Sequence, residues 1–445
     1  MEKKTLLLKI FFLTFFVKVI LSYFIPIAGD EAYYWVWGQN LQLSYFDHPG
    51  MVAWLSSLTN FFSILPKWFS LRIIFSLLSS LSLIVWLKCF ILVRSEESNL
   101  DLNKGIIIFS IFYNLNPLLG IGGILATPDV PLVLFWSLSY WATLNILINP
   151  LKRFYMLLGV FLGLGFCSKY HIVLFPLTTL IALLFTKKIK LIKPKLIILT
   201  FIFGLSFSMP VIIWNIQNDF ISFKFQLNHG FTSIYDYNPM WTLTYLVGQI
   251  FLLNPFIFWS SMQKNGLTFN KITSWSQWIF FLYSSFKAKV EANWPITSHA
   301  SILLDYDFKN KALFKKSLYY FAGLWIIVII LAFTPTLHKK ILLLPSSKTV
   351  GLIYSEIKDL SPIYGPTYQL SSLITLMTGK KVNKLAGLSR YDFYDTLAES
   401  RPGVSKFYVL KYNITFWPES YAQMNIKQIM NFPDIDLALY EITNE

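Results

Sequence analysis

The chain has 445 residues and a formal net charge of +15, with 55% hydrophobic but only 14% charged residues. A soluble domain carries about 25% charged residues, so this composition excludes an ordinary soluble protein. The basic excess does not indicate nucleic-acid binding, because Lys and Arg lie largely in short loops between apolar segments, where they set membrane topology. We expect an integral membrane protein whose basic loops contact anionic lipids, with no nucleic-acid partner.

Apolar segments long enough to cross roughly 30 Å of hydrocarbon recur along the first three quarters of the chain. No water reaches the backbone inside a bilayer, so each of these segments must be helical. The fold class is therefore mainly α, with residues 1–335 as a polytopic transmembrane domain. We predict about eleven transmembrane helices, at residues 6–25, 70–92, 105–124, 131–148, 154–168, 171–186, 196–214, 240–262, 273–286, 294–304 and 318–335.

Basic loops orient the predicted bundle. The largest cluster, Lys187–Lys195, follows the sixth helix, and the basic loops after the second, fourth and tenth helices fall on the same side. The positive-inside rule assigns that side, together with the N-terminus, to the cytoplasm.

Residues 336–445 have a different pattern and would then lie outside the cytoplasm. Short strands are predicted at 348–354, 406–412 and 436–442, and a helix at 366–378 that Gly379 ends. We expect a small extracytoplasmic α/β domain after the transmembrane domain.

Acidic and histidine residues collect in the predicted external loops. An ionisable group near a bilayer is costly and usually functional. Asp30 and Glu31 open the first external loop, and Asp47 and His48 follow within Tyr45-Phe-Asp-His-Pro-Gly50. The later external turns contain Asp129, Lys169, Tyr170, His171, Glu291, Asn293 and Trp294. Taken singly, each has an ordinary explanation, such as a helix cap or an interfacial side chain. Together they predict a single external site.

Such a site suits glycosyl transfer. A carboxylate base, Asp30 or Glu31, would take the proton of an acceptor hydroxyl as it attacks the anomeric carbon. The departing lipid phosphate needs a cation, either a side chain or a bound metal. Asp47 and His48 with a third ligand would suit Zn, Mn or Mg. We predict that Lys169, His48 and Tyr170 face the phosphate. Residues predicted to line the sugar and acceptor pocket are Asp129, His171, Glu291, Asn293 and Trp294.

Two first-loop motifs carry a family resemblance. Gly29-Asp-Glu-Ala-Tyr-Tyr-Trp35, followed by Tyr45-Phe-Asp-His-Pro-Gly50, resembles the first-loop signature of the membrane-embedded GT-C glycosyltransferases. The most similar group is the bacterial relatives of dolichyl-phosphate-mannose–protein mannosyltransferases, including lipid A aminoarabinose transferases and rhizobial galacturonic acid transferases. Further similar blocks are Thr127-Pro-Asp129, Gly163–Tyr170 and Val290–Pro295, with a weaker one at Ser389-Arg-Tyr-Asp392.

The resemblance implies a role for several of these residues. Asp30 matches the family's proposed catalytic base, and Asp47 matches a position that ligates metal in some relatives. His48 stands where aminoarabinose transferases have a lysine near the donor phosphate, which makes Lys169 the better phosphate ligand here. The family transfers sugars from polyprenyl phosphates with inversion, to lipid A, lipopolysaccharide core sugars or protein hydroxyls. The implied location is the periplasmic face of a bacterial inner membrane.

Two other functions stay open from the sequence. A transporter or flippase would have ionisable residues in mid-helix and internal pseudo-symmetry, and the chain has few such charges. A non-catalytic membrane scaffold would bind a partner through its external domain and would tolerate loss of Asp30.

Overall fold

Helices dominate the computed structural model, which describes residues 2–62, 64–95, 97, 100–231, 237–263, 266–333, 347–421 and 423–443. The mainly α fold class is confirmed. The helices are α1 (Glu2–Phe24), α2 (Gly29–Gln39), α3 (Met51–Ser57), α4 (Lys67–Arg94), α5 (Leu102–Leu115), α6 (Asp129–Ile148), α7 (Lys152–Ser168), α8 (Leu174–Phe185), α9 (Pro194–Gln217), α10 (Ile221–Phe231), α11 (Pro239–Leu253), α12 (Pro255–Gln263), α13 (Phe269–Ser285), α14 (Ile296–Leu303), α15 (Lys311–Phe333), α16 (Ser347–Ile357) and α17 (Tyr368–Thr378).

Five helices in the described ranges are long and apolar enough to cross a membrane, namely α1, α4, α6, α9 and α15. A sixth span is formed if α11 and α12 are taken together, although they meet at an angle of 89°. Helix α5 and the segment 170–185 are apolar but shorter. The chain is thus a multi-pass membrane protein, and the number of eleven spans stays a prediction.

Two predicted helices end or break early for local reasons. The helix predicted at 105–124 ends at Leu115, because Asn116 precedes a proline and its side chain accepts hydrogen bonds from the N–H groups of Leu118 and Leu119. The helix predicted at 240–262 breaks at Asn254, which has a φ of 91° and also precedes a proline.

Small residues bring α7 and α9 together. Gly159 and Gly163 lie four residues apart on α7 and face α9, where a Cβ atom at Gly163 would lie 2.6 Å from the carbonyl oxygen of Gly204. Close backbone approach at a small-xxx-small motif is a common way for helices to pack in lipid. This contact holds the middle of α7 against the middle of α9.

A buried ion pair joins the first loop to the bundle. The Glu31 carboxylate on α2 accepts from Arg72 on α4, at 2.9 Å from Nε and 2.6 Å from Nη2, and both side chains are fully buried. Arg72 also donates to the carbonyl groups of Ser22 and Pro26 at the end of α1. Two backbone N–H groups, those of Ala28 and Ala126, donate to the same carboxylate. Helix α2 is therefore fixed at the top of the bundle.

The described residues of the C-terminal domain form a five-stranded sheet. Its strands are β1 (Ile363–Gly365), β2 (Asn383–Lys384), β3 (Lys406–Tyr412), β4 (Asn425–Phe432) and β5 (Leu437–Thr443). Their order in the sheet is β2-β1-β3-β5-β4. Strand β1 pairs in parallel with β2 and β3, and the β3–β5 and β5–β4 pairs are antiparallel.

The predicted elements of this domain are mostly confirmed. Strand β3 matches 406–412, β5 matches 436–442, and α17 ends at Gly379, which has a φ of 76°. The strand predicted at 348–354 is wrong, because this segment belongs to α16, whose Val350, Ile353 and Ile357 are buried at helical spacing. The predicted domain boundary at 335/336 falls in 334–346, outside the described residues.

Helix α2 also packs directly on α17 of the C-terminal domain. Ala32 of α2 is fully buried in the same apolar cluster as Leu370 and Ile374 of α17. One turn earlier, a Cβ atom at Gly29 would lie 2.6 Å from Cβ of Gln369. The approach requires glycine, so the distance between the two helices depends on it.

Replacing Gly29 by alanine should therefore separate α2 from α17. Overpacking of this kind costs about 1–3 kcal/mol, and we expect a lower unfolding temperature in detergent for Gly29→Ala. Gly351→Ala is the matched control. Gly351 lies in α16 of the C-terminal domain, and a Cβ atom there would meet nothing within 4 Å. An unchanged unfolding temperature for Gly29→Ala would contradict the close contact.

Candidate active site

Three aspartates from separate segments meet around Tyr34. Asp30 and Tyr34 belong to α2, Asp47 follows in the first loop, and Asp129 begins α6. Tyr34 is buried, and burial followed by the negative charges of Asp30, Asp47 and Asp129 raises its pKa well above the ordinary value. The tyrosine therefore stays protonated in strongly negative surroundings. The structure thus brings together three of the predicted external aspartates around Tyr34, and we call this group the aspartate cluster.

Asp30 is the exposed aspartate of this cluster, whereas Asp47 and Asp129 are buried. The protein packed around Asp30 nevertheless removes much of its hydration, and this desolvation raises its pKa. Hydrogen bonds from Tyr368 and Gln369 and the charge of Arg390 act in the opposite direction, while Asp47 raises the pKa further. A raised pKa makes the ionised carboxylate a stronger base.

Glu31 has a different environment from its neighbour. It is fully buried, and Arg72 and two backbone N–H groups occupy its carboxylate. A carboxylate so engaged cannot accept a proton without breaking the ion pair. The geometry therefore favours a structural role for Glu31 over the predicted role as base.

Asp47 is held by the C-terminal domain. Its Oδ2 accepts from the Tyr33 hydroxyl at 2.6 Å, and its Oδ1 accepts from Nη1 of Arg390 at 2.7 Å. Within the described residues, no group of three or more His, Cys, Asp or Glu side chains could hold a metal ion. His48 lies with its ring 6.2 Å from that of Tyr34. The predicted pair of Asp47 and His48 does not fit a divalent cation in this arrangement.

A second ion pair holds Asp129, the third aspartate of the cluster. Lys169, just after α7, donates to Oδ1 of Asp129 at 2.7 Å, and Asn293 donates to Oδ2 at 2.6 Å. Both charged side chains are less than 10% exposed. Glu291 is exposed, and its carboxylate takes no part in these contacts of Asp129. The structure thus joins three of the predicted residues and leaves Glu291 outside them.

An apolar groove begins next to Lys169. It encloses about 370 Å³ and is lined almost entirely by apolar and aromatic groups. The predicted residues Tyr170, His171 and Trp294 form its wall, where the His171 ring packs on Trp294 at 5.5 Å. The Tyr170 hydroxyl forms a hydrogen bond with Ser222. Such a groove suits an unbranched or isoprenoid lipid chain better than a polar substrate.

Two residues of the site were missed from the sequence. Arg390 and Tyr368 both come from the C-terminal domain and both face Asp30. The weak family block at Ser389-Arg-Tyr-Asp392 was the one available signal for Arg390. Tyr368 had no signal, because its position at the start of α17 is typical of many helices.

A multi-pass helical bundle with first-loop carboxylates and a C-terminal α/β domain is the arrangement that the GT-C resemblance implies. The comparisons agree with this resemblance. Residues 47–214 match the family model described as dolichyl-phosphate-mannose-protein mannosyltransferase. The sequence is 22% identical over 282 residues to the lipid A galacturonosyltransferase RgtD of Rhizobium johnstonii, a match that covers 61% of this chain and 58% of that relative.

Solved structures extend the similarity to the whole fold. ArnT from Cupriavidus metallidurans bound to undecaprenyl phosphate superimposes with a TM-score of 0.66 at 12% identity, covering 99% of this chain and 98% of that one. The same protein in the apo state gives a TM-score of 0.64 at 11% identity. The predicted resemblance to the bacterial relatives of the mannosyltransferases is confirmed.

Lys169 should be essential for stability as well as for the site. Lys169→Met leaves the Asp129 carboxylate buried without its cation, and loss of one partner from a buried pair costs about 3–5 kcal/mol. We expect a large fall in unfolding temperature for Lys169→Met and for Asp129→Leu, and a partial recovery in the double variant. Additive losses in this double-mutant cycle would show that the two side chains are not coupled.

Proposed function

We propose that the chain is an inverting glycosyltransferase that moves a sugar from a polyprenyl phosphate to lipid A or lipopolysaccharide at the periplasmic face of a bacterial inner membrane. The observation that carries this proposal is the partly desolvated Asp30 in the aspartate cluster, where Gln226 from the wall of the apolar groove donates to the carbonyl oxygen of Asp47. The relatives support it, since RgtD is a lipid A galacturonosyltransferase and ArnT binds undecaprenyl phosphate. In this orientation the N-terminus is cytoplasmic and the C-terminal domain periplasmic.

The donor lipid would occupy the apolar groove. Its phosphate would lie at the polar end, where Tyr170 joins the groove wall and Lys169 precedes it in the chain. A lysine has three N–H donors, and among the described residues Asp129 takes one of those on Lys169. The other two are oriented by this bond and can bind phosphate oxygens. Dependence of the activity on Zn, Mn or Mg stays a prediction, and in the described part of the chain the residues around Asp47 give it no support.

Asp30 would act as the general base. The acceptor hydroxyl transfers its proton to the Asp30 carboxylate while its oxygen bonds to the anomeric carbon. The bond from that carbon to the phosphate oxygen breaks, and the electron pair leaves with the phosphate towards Lys169. Attack on the face opposite to the leaving phosphate inverts the anomeric centre. Because the pKa of Asp30 is raised, activity should fall on acidification at a higher pH than for an ordinary aspartate.

Loss of Asp30 should abolish most transfer without unfolding the protein. A general base contributes about 10²–10⁴-fold to the rate, so we expect that loss for Asp30→Asn. The measurement is mass spectrometry of lipid A from cells that carry the wild-type gene, the variant or no gene. Asp359→Asn, an exposed aspartate of the C-terminal domain, is the matched control. Wild-type levels of the sugar adduct with Asp30→Asn would refute the assignment, and a wild-type gene that adds no mass to lipid A would refute this acceptor.

Blocking the groove should discriminate among donors by chain length. Val173→Trp fills the groove that Val173 lines, so we expect a KM about tenfold higher for a long polyprenyl-phosphate donor than in the wild type. A donor with two or three isoprene units should be affected much less. Leu177→Trp is the control, since Leu177 is equally exposed and lies one turn further along without lining the groove. Equal effects on long and short donors would argue against this binding site.

A further inference from the structure

Arg390 of the C-terminal domain contacts the aspartate cluster through Asp47. We propose that Arg390 is a positioning residue that holds Asp30 and Asp47 together as two ionised carboxylates, so that the transmembrane domain alone is an incomplete enzyme. This inference rests on the proposed function of Asp30 as the base. It assigns the C-terminal domain a direct part in catalysis.

The Arg390 guanidinium is fixed from three directions. It donates to Oδ1 of Asp47 at 2.7 Å, and it lies 4.9 Å from the ring centre of Tyr368 and 5.7 Å from that of Phe225. Two aromatic faces and a charge-assisted hydrogen bond orient a planar guanidinium well. Nevertheless 45% of the Arg390 side chain is exposed. Arg390 is therefore held in one orientation although almost half of its side chain is exposed.

The loop that carries Arg390 has its own anchor. Lys384, whose side chain is fully buried, donates to the Arg390 carbonyl oxygen and to the Asp392 carboxylate, both at 2.7 Å, and it also pairs with Asp395. A buried lysine with three acceptors uses all of its donors to fix this turn. Little freedom is then left for the backbone at Arg390.

A second connection reaches the same carboxylate. The N–H group of Phe393 donates to the Tyr33 hydroxyl at 2.9 Å, and that hydroxyl donates to Asp47 at 2.6 Å. The loop thus positions both oxygens of Asp47, one through Arg390 and one through Tyr33. A loop that only covered the aspartate cluster would not need two such connections.

Electrostatics explains why a cation is needed here. Asp30 and Asp47 are like-charged when ionised, and Asp47 raises the pKa of Asp30 whereas Arg390 lowers it. In the described part of the chain, Asp47 pairs with Arg390 and Asp129 with Lys169, so Asp30 is the aspartate of the cluster without a salt bridge. The polar groups that face Asp30 are Tyr34, Asp47, Tyr368, Gln369 and Arg390. Arg390 is the cation among them, so its loss should raise the pKa of Asp30 and leave less of the ionised base at a given pH.

The first test is the pH dependence of kcat/KM in Arg390→Gln and Arg390→Lys, with the polyprenyl-phosphate donor and lipid A. An opposite charge shifts a neighbouring carboxyl group by about one pH unit or more. We expect Arg390→Gln to move the acid limb upward by about one unit, with roughly tenfold lower activity below the limb and recovery at high pH. Arg390→Lys keeps the positive charge and should therefore keep most of the wild-type profile. Arg401→Gln, at an exposed arginine of the same domain, is the control and should leave the profile unchanged.

A second measurement does not depend on activity. Dicyclohexylcarbodiimide labels protonated carboxyl groups, and peptide mass spectrometry of the full-length protein in membranes gives the extent of labelling of Asp30 at each pH. Arg390→Gln should extend this labelling to a pH about one unit higher than in the wild type. An unmoved labelling profile, or an equal loss of activity at every pH, would overturn the proposal. Shifted labelling in a protein that transfers no sugar would support the role of Arg390 and refute the proposed function alone.

Discussion

The buried pair of Glu31 and Arg72 fixes the frame in which the site is built. Taking two charges out of water costs several kcal/mol per ion, and only good geometry with further hydrogen bonds offsets it. Here Arg72 also binds carbonyl groups at the end of α1, and Glu31 binds N–H groups before α2 and before α6. One interaction therefore joins four segments. Asp30, one residue earlier, lies about 100° away around α2 and belongs to the aspartate cluster. Adjacent carboxylates thus have different environments, one in a buried ion pair and one exposed.

The three aspartates of the cluster differ in whether each has a cation as partner. Asp47 and Asp129 each have a cation of their own, Arg390 and Lys169, supplied by distant parts of the chain. Asp30 has hydrogen bonds and a nearby cation but, within the described residues, no salt bridge. A carboxylate that formed a close salt bridge would be a weaker base, because proton uptake would break the bridge. The arrangement favours proton transfer at one of the three aspartates.

The sequence predicts the parts of this structure that depend on local pattern. Hydropathy locates the long spans, and the first-loop motif identifies Asp30 and Asp47. The prediction failed at 348–354, because a seven-residue apolar segment with β-branched residues fits a strand as well as the buried face of α16. It also missed the contact between Asp47 and Arg390, which are 343 residues apart. A single sequence records each residue but not which distant residue faces it, so the ion pairs that distinguish Asp30 from Glu31 were beyond its reach.

The same contacts bear on how two substrates of different polarity could meet at one carbon atom. The groove is apolar and is lined by residues of α7, α8, α10 and α13, whereas the surroundings of Asp30 are polar and partly supplied by the C-terminal domain. A lipid-linked donor would enter from the first of these surfaces and a hydrophilic acceptor from the second. The charges of Asp30, Asp47 and Asp129 all act on Tyr34, so it lies among the three aspartates. Its protonated hydroxyl can donate a hydrogen bond to a sugar oxygen there without adding to the negative charge.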